Sequence, residues 1–146
     1  MRIWLTMASA ALLGGGGAVY VLFRPSGLLL FRVLGALGAM PAVKPARLWA
    51  AGVSRSDFVA FSLPGGLWAA AWVVLMVAFF GGRGNDGRLL RWASVVPVLG
   101  AGSEFMQGAA WLPGTADAID LLCYVVPYAM LVLLMFFSRS GNKMNY

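Results

Sequence analysis

Residues 58–80 read FVAFSLPGGLWAAAWVVLMVAFF, 23 consecutive positions without a charged side chain. A helix of that length rises about 35 Å, enough to cross a bilayer core of about 30 Å. From Leu67 onward the run is almost purely apolar. It lacks the alternation expected of a membrane β-strand. Working outward, residues 3–23 form a second uncharged run of 21, and residues 121–137 a third of 17. The last reaches a comfortable crossing length only if Ala118, Ile119 and Asp120 are helical too. Between them, the uncharged stretch 92–103 is interrupted by Glu104, so a crossing there must take that carboxyl inside. These blocks predict an all-α, four-span transmembrane helical bundle as one integral membrane domain over 1–146, with spans at about 3–23, 58–80, 90–112 and 118–137.

Composition agrees. The 146 residues are 61% apolar and 11% charged, with a mean hydropathy of +0.82. Soluble domains run at about 45–50% and about 25%. The net charge of +6 comes from basic residues set between apolar blocks, a pattern that suits lipid phosphate and argues against a nucleic-acid partner. There is no histidine, which removes His-based zinc sites and Ser-His-Asp or Cys-His catalysis. The lone Cys123 cannot form an internal disulfide.

Residues 3–23 also admit a signal-peptide reading, but their hydrophobicity continues past the 7–15 residues of a signal core. The glycines at 14–17 are expected to let a neighbouring backbone come close, and Trp4, Trp68, Trp92 and Trp111 to mark the membrane interfaces. The long first loop, 24–57, carries Arg24, Arg32, Lys44, Arg47 and Arg55, and its segment 28–40 is apolar enough to form an interfacial helix. Both termini are placed inside, since the basic residues of the tails and second loop sit close to span ends.

Three of the five acidic residues fall within 17 positions: Glu104, Asp117 and Asp120. Helical spacing puts Pro97, Gly100, Glu104, Gln107 and Trp111 on one face, and Asp117, Asp120, Tyr124 and Tyr128 on another. Pro113-Gly114 marks a turn between them. The two helices should therefore run antiparallel and bring Glu104, Gln107, Asp117 and Asp120 together near one membrane face. A carboxylate at bilayer depth costs about 2.5 kcal/mol or more and needs a partner. By parity the first loop lies on the same side, which makes Arg24 and Arg32 the expected partners. Structural roles compete: Asp117 suits a helix N-cap, Asp120 a first-turn acid, and Gln107 an interhelical hydrogen bond.

Glu104-x-x-Gln107, a short turn, then Gly114-Thr115-x-Asp117-x-x-Asp120 resembles the VanZ-like family of small bacterial membrane proteins. The family pattern is Glu-x-x-Gln at the end of one span, then Arg-x-x-Asp-x-x-Asp-x-x-x-Asn-x-x-Gly leading into the next. Gly114 stands at its arginine, Tyr124 at its asparagine and Pro127 at its last glycine. The segment Ser62-Leu63-Pro64-Gly65-Gly66-Leu67-Trp68 also looks like one found in some members. The family is named for a protein linked to resistance to the antibiotic teicoplanin.

Together these features predict a non-enzymatic, multi-pass protein of the bacterial cytoplasmic membrane that needs no cofactor. Its acidic hairpin, with Arg24, Arg32 and Tyr124, is expected to bind an anionic envelope lipid, an antibiotic-related ligand, a partner membrane protein or a second copy of the chain. The competing expectations are an enzyme in which Glu104, Asp117 and Asp120 hold a divalent metal against a polyprenyl-phosphate or lipid-linked sugar, and a structural subunit of a larger membrane complex.

Overall fold

Prolines decide where the long helices stop and break. Helix α1 (Arg2–Phe23) ends one residue before Arg24, because Pro25 disfavours the α conformation in the residue that precedes it. A π-helical turn, Phe58–Ser62, feeds α4 (Leu63–Phe80). Its Leu63 N–H donates to Phe58 O, five residues back, a wider turn that accommodates the ring of Pro64. Pro97 has no N–H to offer the carbonyl of Ala93, and there the chain breaks into α5 (Asp86–Ala93) and α6 (Val95–Gly108). Two short helices, α2 (Leu29–Ala36) and α3 (Met40–Ala51), fill the first loop, and α7 (Ala118–Lys143) closes the chain. This computed structural model describes residues 2–53, 56–82, 84 and 86–143, with side chains through 138. Arg55 and Arg83, and the side chains of Arg139 and Lys143, lie outside the described residues.

The described residues are helical, with no strand among them. Among the described residues, three helices are long and apolar enough to cross a membrane: Arg2–Phe23, Phe58–Phe80 and Ala118–Ser138. The block expected at 90–112 differs. It begins earlier, bends at Ser94 and leaves α6 only 14 residues, about 21 Å of rise.

Helix α4 is central. Against α1 it is tied by the buried Ser9, whose Oγ donates to Ala71 O at 2.7 Å, and by Trp68, which stacks on Tyr20 at 5.4 Å between ring centroids. A Cβ on Gly16 would stand 2.6 Å from Trp68 Nε1, whereas Gly14, Gly15 and Gly17 face open space. Close approach is therefore confined to one of the four glycines. Trp68 packs between the two helices. Val73 and Met76 of α4, Leu89 and Ala93 of α5 and Leu131 of α7 form a core at one end of the bundle. The outward faces are apolar: Leu134 and Phe136 are 66% and 64% exposed.

Successive long elements reverse direction. Helix α1 ends, α4 begins, α6 ends and α7 begins at the end of the bundle opposite that core, where Arg24 reaches Phe61 O and Asp117 reaches Glu104. Arg47 of α3 fixes this end, donating through Nη1 to Val21 O and through Nη2 to Arg24 O at 2.8 Å. These are carbonyls at the end of α1 that lack helical partners. Its guanidinium lies 4.5 Å above the ring of Phe31.

The stop of α6 sets up the site. Trp111 N–H donates to Met106 O at 2.8 Å and Ala110 N–H to Gln107 O at 3.0 Å, the paired bonds of a Schellman motif, whose left-handed residue is usually glycine. Here it is Ala110, at φ +58°. A left-handed alanine costs about 1 kcal/mol, so Ala110→Gly is expected to raise unfolding stability by about 0.5–1 kcal/mol, read as a higher thermal midpoint in detergent. An unchanged or lower midpoint counts against this turn.

Candidate functional site

The turn after Gly108 carries the chain back over the end of α6, and the first group it meets there is Glu104. Glu104 is 7% exposed, and its Oε2 accepts the Asp117 amide at 2.9 Å. Asp117 Oδ1 in turn accepts the Ile119 amide at 2.8 Å, so Asp117 is the N-cap of α7 and satisfies one of its free donors. Both carboxyls sit at the positive end of the α7 dipole. The expected arginine partner of Glu104 is thus replaced by a backbone N–H, which can neutralise part of the cost of burying the group without a second charge.

Two further residues shape the wall. Gly114 has φ +137°, and a Cβ there would lie 2.8 Å from Gln107 Cδ, so Gln107 closes directly on the turn. Tyr124 lies between α4 and α6. A Cβ on Gly100 would stand 2.4 Å from its Cγ, and one on Gly65 would stand 3.0 Å from its hydroxyl.

The result is a polar cavity of about 660 Å³. Arg24, Glu104, Gln107, Asp117, Asp120 and Tyr124 all line it, six of the seven residues expected from sequence. Arg32 is the exception. Phe31 is buried at 3% exposure, stacked toward Tyr20 and beneath Arg47, and the next residue on a helix turns about 100° away. Arg32 consequently faces outward and does not reach the cavity. The polar lining also includes Asp57, Ser62, Ser103 and Thr115, which the sequence reading does not single out. By parity the first loop brings Asp57 to this side along with its arginines. With it, four of the five acidic residues of the chain line one cavity.

Arg24 is positioned by its own contacts. Its Nη2 donates to Phe61 O at 3.2 Å, and its guanidinium lies 5.5 Å from the Tyr20 ring centroid and 4.9 Å from that of Phe61. Its Nε is buried without a hydrogen-bond partner, as is Oδ1 of Asp120. No ion pair within 4.0 Å joins the two among the described residues. The cavity therefore holds one positive and one negative group, each with an unsatisfied buried atom and held apart. Leaving such atoms unpaired costs about 1–3 kcal/mol each, more for charged groups.

Glu104, Asp117 and Asp120 share the cavity, but among the described residues no three His, Cys, Asp or Glu side chains converge as a metal site would require.

No family model matches the chain, and neither the curated proteins nor the solved structures contain a significant match to it.

Proposed function

We propose that this is a multi-pass membrane protein of the bacterial cell envelope, VanZ-like in type, whose cavity receives the polar headgroup of an envelope phospholipid without performing chemistry on it. The observation that carries this reading is a cation and a carboxylate, Arg24 and Asp120, that line one cavity at the ends of apolar helices without pairing, one atom of each lacking a hydrogen-bond partner. A phosphate satisfies a guanidinium through charge-assisted hydrogen bonds, and a lipid brings that phosphate to membrane-surface depth. The resemblance to the VanZ-like family rests on Glu104, Gln107, Asp117 and Asp120, four lining residues of the same cavity. Its missing arginine also has a physical counterpart: Gly114 has no room for a side chain beside Gln107, and the guanidinium comes from Arg24 instead. In this reading α5 and α6 together make the remaining crossing, α2 lies at the interface, and the cavity opens toward the outer leaflet.

Native mass spectrometry of the detergent-purified protein is expected to show retained phospholipid that the double variant Arg24→Gln, Asp120→Asn loses by at least tenfold. Equal lipid on both proteins overturns the proposal. The divalent-metal enzyme reading is less favoured because its three carboxylates do not converge.

A further inference from the structure

Lipid binding at this cavity poses two physical questions, which headgroup is held and where the chains lie. The balance of charge inside the cavity answers the first. Of the four carboxylates, Glu104 takes the Asp117 amide and Asp117 takes the Ile119 amide, while Asp57 is exposed at the mouth. Asp120 remains: it lines the same cavity as Arg24, and its Oδ1, like Arg24 Nε, has no hydrogen-bond partner. A purely anionic headgroup satisfies Arg24 but meets Asp120 as a like charge, while a headgroup that carries a phosphate and a primary ammonium satisfies both. Glu104, more than nine-tenths buried and also lining the cavity, adds to the negative potential on the Asp120 side.

The flanking surface addresses the second point. The polar cavity shares Glu104 and Asp117 with an apolar groove of about 490 Å³ between α6 and α7, lined by Ala101, Phe105 and Leu121. It shares Phe58 and Ile119 with another, of about 400 Å³ between α4 and α7, lined by Leu67, Leu122 and Val126. The first turns of α7 thus separate two apolar grooves that both begin at the polar cavity. We propose that the ligand is a zwitterionic, amine-bearing diacyl phospholipid of the phosphatidylethanolamine class. Its ammonium sits at Asp120, its phosphate at Arg24, and its two acyl chains lie one on each side of α7. This rests on the lipid-binding reading and narrows it.

The test uses the full-length protein in nanodiscs of equimolar phosphatidylethanolamine and phosphatidylglycerol, with co-released lipid counted by mass spectrometry. The wild type is expected to enrich phosphatidylethanolamine at least fivefold and to hold it at least fivefold more than the single-chain lysophosphatidylethanolamine offered at the same concentration. Asp120→Asn is expected to abolish the headgroup preference while lipid is still retained. Ala101→Trp, which fills one groove, should abolish the preference for two chains but not for the amine. Equal or reversed enrichment by the wild type overturns the inference without any variant, as does a preference that survives Asp120→Asn. Equal retention of the diacyl and single-chain lipids overturns the placement of the chains. If no lipid is retained at all, the lipid-binding reading itself fails, an outcome distinct from lipid held without preference.

Discussion

Gly100→Ala is expected to destabilise the protein by about 2 kcal/mol, although alanine is ordinarily the better helix residue by about 1 kcal/mol. The new methyl would stand 2.4 Å from Tyr124 Cγ and 2.6 Å from Cδ1, well inside the 3.5–4.0 Å at which carbon atoms rest against each other. The atoms struck are at the base of the ring, and turning the ring about Cβ–Cγ leaves Cγ where it is. The tip of the ring is blocked as well, because Gly65 of α4 has room only for a hydrogen beside the Tyr124 hydroxyl. Relief therefore requires α6 to move away from α7, at the usual overpacking cost of about 1–3 kcal/mol. That separation pulls Glu104 from the Asp117 amide. Thermal unfolding in detergent checks the loss, and a double-mutant cycle checks its cause: in a Tyr124→Ala background Gly100→Ala should be neutral or stabilising, giving a coupling of about 2 kcal/mol. A penalty that persists without the tyrosine ring would sink this explanation.

The helical blocks were legible because uncharged runs of about 20 residues have few other solutions. The α6–α7 hairpin was legible because Pro113-Gly114 separates two polar stripes of helical period. The bend at Ser94 was also written in the sequence, in Pro97, but a count of uncharged positions does not weigh a proline's missing N–H. Arg32 and Arg24 show what composition cannot separate. Both are first-loop arginines, and only the burial of Phe31 and the clamp from Arg47 decide which one faces the cavity. The partner of Glu104 left no trace at all, since every non-proline residue carries the same amide. Asp57 was recoverable from parity, because a loop that delivers cations to one face delivers its acids there too. In sequence the glycines at 14–17 form one surface, yet only Gly16 lies where Trp68 and the Pro64 carbonyl approach. The difference between adjacent glycines is a rotation of about 100° around α1.

Glu104→Leu and Glu104→Gln are expected to part company. Leucine fills similar space and removes the cost of burying a carboxyl, which on bilayer-depth scales is about 2.5–3.5 kcal/mol when the group is charged. If that cost dominated, the leucine variant would be the more stable protein. In this structure it does not dominate, because Oε2 already holds the Asp117 amide and lies at the N-terminus of α7, where the dipole favours negative charge. Leucine takes the acceptor away and leaves a half-buried N–H with no replacement, a loss of about 1–3 kcal/mol. The turn that follows the left-handed Ala110 loses the bond that brings its far end back to α6, and the N-cap of α7 frays with it. Glutamine keeps an oxygen in the same place, so it should cost less than about 1 kcal/mol. Hydrogen exchange separates the two most directly: amides at 109–119 should exchange at least tenfold faster in Glu104→Leu, with protection in α4 unchanged, while Glu104→Gln stays close to wild type. Equal protection in both variants would show that the hairpin is held by packing alone, because the acceptor oxygen that glutamine keeps and leucine lacks would then make no difference.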